Sequence, residues 1–258
     1  MSLAHAEKIG KRPVVTSDGF LDGRLTISQP ANGFRAGLDS VLLGAAVGHS
    51  AGDLLDLGAG VGAASLAALA HHQALTATLV ESEPETAELA RGNIAANGFA
   101  ARAGVIEVDL TASGRTRSAA GLVPDHYISV IANPPFFETG TSPSPTRSAA
   151  RHMSPERLDA WVKTAATHAA PGGEIVFIHI AERLAPLLQG FTARFGAITI
   201  LPLTPREGEP AHRILVRGIK GSRAPLTLLA SRALHTPSGR TFRSEFDAIF
   251  RGRDRLHW

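Results

Sequence analysis

The stretch Leu54-Leu55-Asp56-Leu57-Gly58-Ala59-Gly60-Val61-Gly62 decides the fold. A short apolar run ends in alternating glycines, and a helical segment begins at once. A buried strand that turns through glycine into a helix is the opening unit of a ligand-binding α/β sheet. Glycine permits the tight turn and lets a ligand approach the main chain. The free N–H groups of the helix N-terminus then face that ligand.

The rest of the chain extends this unit. Short β runs are expected at Ala77–Val80, Gly104–Val108, Tyr127–Ala132, Glu174–Ile180, Ile198–Leu203 and Arg213–Val216. Helices alternate with them. One is expected over Pro84–Ala96, with Ser82 and Glu85 at capping-box spacing, Pro84 in the first turn and Gly98 at the close. Ser154-Pro155-Glu156 opens another, ended by Pro171-Gly172-Gly173. Upstream, residues 13–29 read as a hairpin turning at Asp22-Gly23, and residues 38–48 as an apolar helix. Alternating β and α units predict an α/β fold: an open, mostly parallel sheet with helices on both faces. A single domain over 1–258 is expected, with an N-terminal hairpin and helix extension at about 13–50 and a basic C-terminal extension at about 221–258.

Composition narrows the chemistry. The chain has 258 residues, 44% of them hydrophobic, enough for a real core. It has no cysteine, which excludes disulfides, thiolate metal sites and cysteine nucleophiles. No HExxH motif or Cys/His cluster points to a metal, and His179 reads as a core residue of an apolar strand. No apolar run spans a bilayer and no signal peptide is visible, so a soluble, cytoplasmic protein without membrane contact is expected. Net charge is +3, but from Gly218 to Trp258 eight Lys/Arg face three acids. That tail reads either as a solvated basic surface or as a phosphate-contacting one.

The glycine loop alone is ambiguous. Gly58, Gly60 and Ala63 also satisfy the GxGxxG/A pattern of nicotinamide enzymes, and Glu81 suits the ribose of either cofactor. Asp109, followed by Leu110, sits just past the third run of the sheet. Asp56, Glu81 and Asp109 therefore end successive strands at one edge, where ligands of such sheets gather. Three acids repel a diphosphate but suit a sulfonium, an ammonium and an adenine amino group. S-adenosylmethionine is favoured over NAD on that ground.

The sharpest motif is Asn133-Pro134-Pro135-Phe136-Phe137, at the end of the fourth strand. Two prolines stiffen the loop and remove two N–H donors. Main-chain carbonyls and the Asn133 side-chain oxygen remain, a cradle of acceptors that selects a donor such as an –NH2 group. An aromatic next to it can stack on a flat substrate. The following segment, Glu138 to Ala150, is rich in Ser, Thr, Pro and Gly and reads as a loop, either a lid or substrate loop beside the site or an ordinary surface loop.

Asn133-Pro134-Pro135-Phe136 resembles the (Asn/Asp)-Pro-Pro-aromatic signature of the amino-methyltransferases. Gln29-Pro30, then Gly33-Phe34-Arg35-Ala36-Gly37-Leu38-Asp39 and Val41-Leu42-Leu43, resembles the segment before the glycine loop in the bacterial valine-tRNA adenine-N6 methyltransferase family. The likeness runs from about Asp22 to Val216, whereas the stretch after Gly221 departs from it. It implies a class I methyltransferase (Rossmann-like) sheet, S-adenosylmethionine as cofactor and a tRNA partner. By the same resemblance Gly58, Ala59, Gly60 and Gly62 lie along the methionine half, Asp56 supports its ammonium, Glu81 holds the ribose, and Asp109 with Leu110 holds the adenine. Phe34, Arg35 and Asp39 wall the pocket, and Arg35 is a candidate for the cofactor carboxylate. Asn133 and the Pro134 carbonyl take the two amino hydrogens, Pro135 stiffens them and Phe136 stacks on the base. Arg147, Arg151, Arg213 and the tail are candidate phosphate contacts. Guanine N2, a glutamine amide and a small-molecule hydroxyl remain alternative acceptors. An NAD-dependent oxidoreductase and a non-catalytic RNA-binding module are the remaining classes.

Overall fold

A computed structural model describes residues 14–32, 35–136 and 153–258. Phe34, Phe137, Arg147, Arg151 and the 138–150 loop lie outside the described residues.

The glycine-loop strand β3 (Ala51–Leu57) lies at the middle of a nine-stranded sheet. On one side follow β4 (Ala74–Glu81) and β5 (Ala103–Glu107). On the other come β6 (Tyr127–Ala132), β7 (Ala169–Ile180), β9 (Arg213–Lys220) and β8 (Phe195–Thr204). Two short strands, β10 (Thr227–Leu228) and β11 (Arg232–Ala233), pair in parallel with β8. Only β9 runs against its neighbours, being antiparallel to β7 and β8. The sheet is thus open and mostly parallel. Each expected β run falls inside an observed strand except Gly104–Val108, whose last residue lies one past the end of β5.

Strand alternation builds two cores. Leu54, Leu79, Ile131, Val176, Ile178 and Leu215 face one way. They pack under α1 (Leu38–Ala45), α2 (Ala63–His71), α3 (Pro84–Ala96) and α7 (Ser244–Phe250). Leu55, Leu57, Val130, Ile175, Phe177 and Val216 face the other way. These pack against α5 (Pro155–His168) and α6 (Leu184–Thr192). Continuous apolar runs are what a strand buried on both faces requires. A short helix, α4 (Gly114–Ala119), is capped by Ser113, whose side chain accepts from the Thr116 N–H.

The N-terminal hairpin pairs β1 (Val15–Phe20) with β2 (Leu25–Pro30). Its turn is wider than Asp22-Gly23: Leu21, Asp22 and Gly23 all take positive φ, at 52°, 59° and 82°. Two asparagines one helical turn apart, Asn93 on α3 and Asn97 at its C-cap, hold it. Asn93 exchanges bonds with the Ser28 N–H and C=O at 2.8 and 2.9 Å. Asn97 does the same with Thr26 at 2.9 and 2.8 Å. Their amides replace a missing neighbouring strand.

Three expectations change. The helix expected to reach residue 48 ends at Ala45. Ser82 does not cap α3: the N-cap is Glu83, with no side-chain bond, and the N–H groups of Ser82 and Glu83 both go to the Glu81 carboxylate. The helix opened by Ser154 ends at His168, before Pro171, because Ala169 already begins β7.

The basic tail folds back on the protein. Phe246, Ile249 and Leu256 are buried beside α1. The Leu256 N–H and the Trp258 indole N–H reach the carbonyls of Ala45 and Ala46 at 3.0 and 2.9 Å. Much of its charge is spent internally. Arg232 pairs with Glu245, Arg243 with Glu207, Arg251 with Asp247 and Asp22, and Arg253 with Asp22.

Candidate active site

The parallel strands β3, β4, β5 and β6 deliver their last residues to one edge, and the motif residues meet there. The three loop glycines have positive φ but serve different ends. At Gly58 (φ +64°) a Cβ would lie 2.3 Å from Cη2 of Trp161, so α5 covers it. At Gly62 (φ +87°) a Cβ would lie 2.8 Å from Cδ2 of Leu79, so this glycine lets α2 approach the sheet. At Gly60 (φ +56°) a Cβ would meet nothing within 4 Å. Gly60 is therefore the glycine of the three that leaves room for a ligand.

Glu81 ends β4 and is 9% exposed. Its Oε2 accepts from the Gly60 N–H at 2.9 Å, and its Oε1 from the N–H groups of Ser82 and Glu83 at 2.8 and 3.0 Å. The carboxylate thus ties the glycine loop to the next strand. The Ala59 N–H also crosses to this strand, donating to the Val80 carbonyl at 2.9 Å. Asp56 is buried, with Ser65 Oγ donating to its Oδ2 at 2.7 Å. Burial, reinforced by the nearby Glu81 charge and opposed by the Ser65 bonds, raises its carboxyl from 3.8 to about 7. Asp109 is exposed just past β5 and accepts from the Thr111 N–H and hydroxyl at 2.7 and 2.8 Å, while Leu110 is buried.

On the other side of the edge lies a cavity of about 290 Å³, lined by Arg35, Gly37, Leu38, Asp39, Ser40, Asn133 and Arg213. Arg35 and Asp39, four residues apart, meet Asn133 here from almost a hundred residues away in sequence. Arg35 is committed to the hairpin: it donates to Thr16 Oγ1 and the Pro30 carbonyl at 2.9 Å each and pairs with Asp18 at 2.6 Å. It forms a wall more than a free fork. Asp39 accepts from Arg213 Nε at 2.8 Å. Asn133 Oδ1 is buried and has no hydrogen-bond partner among the described residues. A buried acceptor left unpaired costs free energy that a ligand donor recovers. Pro134 is buried and Pro135 exposed. Phe136 is half-buried, its ring 5.2 Å from the buried His179 ring and 4.8 Å from the Arg213 guanidinium carbon. The Phe136 carbonyl accepts from the Met153 N–H at 3.1 Å.

Trp161 escaped the sequence reading of the site, and Arg213 entered it only as a candidate phosphate contact. Trp161 gave no signal because its partner Gly58 is a hundred residues away in sequence. Arg213 was visible only as a cation. Antiparallel β9 carries it to the ligand edge, opposite Ile180.

Known proteins share this architecture. A protein from Shewanella amazonensis named tRNA1(Val) (adenine(37)-N6)-methyltransferase is 32% identical over 73% of this chain and 79% of its own length. A ribosomal RNA small subunit methyltransferase C from Klebsiella pneumoniae is 26% identical over 77% of this chain and 54% of its own length. The crystal structure of a predicted O-methyltransferase from Agrobacterium tumefaciens superimposes with a TM-score of 0.73 at 33% identity, covering 84% of this chain and 98% of that one. The model of the methyltransferase small domain matches residues 38–202, from the cavity wall through the glycine loop and Asn133 to β8. Taken with the strand order and the acceptor cradle, that match makes the chain a member of the methyltransferase small domain family.

Proposed function

We propose that this methyltransferase uses S-adenosylmethionine to methylate a planar amino nitrogen, adenine N6 in a tRNA. The observation that carries the reading is Asn133 Oδ1, buried and without a partner among the described residues, in a residue that lines the cavity. An amino group has two hydrogens to give, and Asn133 Oδ1 with the Pro134 carbonyl would accept them. Pro134 and Pro135 keep the cradle rigid and free of competing donors. A hydroxyl brings one hydrogen and would leave one acceptor idle, which weighs against an oxygen acceptor. The names of the relatives from Shewanella and Klebsiella support RNA as the substrate.

The chain fits the cofactor. Gly60 leaves open space beside a glycine loop, and Glu81 stands at the next strand end with both oxygens oriented by main-chain N–H groups. Glu81 would hold the ribose, Asp109 and Leu110 the adenine, and Ala59, Gly60 and Gly62 the methionine half. Asp56 would face the ammonium, and Arg35, Asp39 and Phe34 would close the pocket. When bound, S-adenosylmethionine supplies a methyl group already activated by its sulfonium. The chain's own task is orientation: Asn133 and Pro134 fix both amino hydrogens, which turns the nitrogen lone pair toward the methyl. No side chain has to remove a proton beforehand, because the amino proton can leave after transfer.

The test is Asn133→Ala. Methyl transfer to tRNA should fall by about 100-fold or more, the usual cost of misplacing a reacting group. Calorimetric affinity for S-adenosylmethionine should stay near wild type. Undiminished methyl transfer, or a loss fully accounted for by weakened cofactor binding, would refute the role. Titration with NAD, expected to give no heat, separates this class from oxidoreductases.

A further inference from the structure

A second cavity adjoins the one that holds Asn133. Its volume is about 270 Å³, and its walls include Phe20, Asp22, Gly37, Leu38, Val41 and Phe250. Gly37 and Leu38 line both cavities, so the two meet at the start of α1. An added Cβ at Gly37 would meet nothing within 4 Å, so this residue puts no bulk between them.

The two cavities differ in chemistry. Arg35, Asp39, Asn133 and Arg213 make the first polar. The second is mostly apolar and has two aromatic rings in its walls, Phe20 at the end of β1 and Phe250 at the end of α7. The Phe250 ring is braced from behind. It lies 4.6 Å from the Phe242 ring, which stacks on His235 at 4.7 Å and 21°. Asp22, in the same wall, is shared by Arg251 and Arg253 at 3.4 and 3.2 Å, and the Arg253 side chain is 64% exposed. Phe20 and Phe250 both lie outside residues 38–202, the stretch that the family model matches.

A base that leaves its stack to enter the first cavity deprives its neighbours of a stacking partner. Aromatic side chains replace that partner for bases of any sequence. The second cavity offers such rings next to the acceptor cradle, in a space nearly as large as the first, with cations at hand for the backbone phosphates. We propose that this cavity takes the nucleobase next to the target in the RNA, stacked on Phe250. The inference rests on the RNA reading above and adds the place where the flanking nucleotide is held.

The experiment begins with the tRNA that wild type labels from radioactive S-adenosylmethionine in an unfractionated bacterial pool. Synthetic copies of that tRNA are made in which one base or the other beside the methylated nucleotide is removed, leaving the ribose-phosphate chain. Wild type should lose roughly ten- to a hundredfold in kcat/KM on one of the two abasic copies, the size of one base stack. Phe250→Leu, which keeps an apolar side chain but no ring, should lose as much on the intact tRNA and little more on that abasic copy. Its cofactor affinity and melting temperature should hold. Losses that multiply, or no loss on either abasic copy, overturn the inference while leaving the substrate reading intact. A cavity filled by another segment of the chain or by a second copy of it would give that result. If Phe250→Leu melts early, Phe20→Leu carries the same comparison with the same outcomes. A wild-type enzyme that labels no tRNA overturns the substrate reading and the inference with it.

Discussion

Substituting alanine at Gly58 and at Gly60 should damage the protein in opposite ways. Both glycines have positive φ, +64° and +56°, so either alanine carries a backbone penalty of about 1–2 kcal/mol. Beyond that they diverge. The Gly58 methyl would sit 2.3 Å from one Trp161 ring carbon and 2.9 Å from the next. Trp161 is 8% exposed and α5 packs on α6, so the ring has little room to retreat. Overpacking of this kind adds about 1–3 kcal/mol. Gly58→Ala should therefore cost about 2–5 kcal/mol, a fall in melting temperature on the order of 5–15 °C for a chain of this size. The Gly60 methyl meets no atom within 4 Å. Gly60→Ala should lower the melting temperature by only about 2–6 °C. Its methyl would instead occupy cofactor space and weaken S-adenosylmethionine binding by roughly tenfold or more. Thermal melts and calorimetry on the two variants separate these effects. A Gly60→Ala variant that binds cofactor like wild type would refute the division of labour, as would a Gly58→Ala variant with unchanged stability.

Two further predictions concern buried carboxyls. Asp56 titrates near 7 in the folded chain against 3.8 for the free group, so the folded state holds its proton more tightly. Its contribution is favourable below about pH 4 and is lost as pH rises toward 7, up to about 4 kcal/mol. Asp56→Asn should flatten the pH dependence of urea unfolding between pH 4 and 7 and stabilise the protein at pH 8; an unchanged slope would contradict the assignment. Glu174 is fully buried and accepts from the Gly48 N–H at 2.7 Å and Ser129 Oγ at 2.9 Å, with Arg217 at 3.1 Å. Glu174→Ala leaves that arginine unpaired and should cost about 3–5 kcal/mol without altering cofactor affinity in the protein that remains folded. Urea titration with calorimetry alongside checks both halves of that statement.

What the sequence made legible was whatever is encoded locally. Leu54–Leu57 and Tyr127–Ala132 are apolar runs bounded by breakers, and buried parallel strands have no other pattern to show. Asn133 was readable because two prolines beside it restrict the chemistry of the loop. Long-range partners were not readable. Nothing near Gly58 announces Trp161, and nothing near Arg213 announces Phe136 or Asp39. The capping box failed for a related reason. Ser82 and Glu85 have the right spacing, but Glu81 takes the Ser82 N–H that the Glu85 side chain would have accepted from. The internal pairing of the tail was likewise not readable, because Asp22 in the hairpin turn, far away in sequence, pairs with Arg251 and Arg253.

The bond between the Phe136 carbonyl and the Met153 N–H has an implication for how such a site can diversify. It joins the last described residue after β6 to the first described residue before α5. Closing a loop whose ends are already joined depends only weakly on length: doubling it adds about 0.6 kcal/mol. Lengthening the chain between these two joined ends should therefore cost the fold little, which leaves its length open to change by selection or by an engineer.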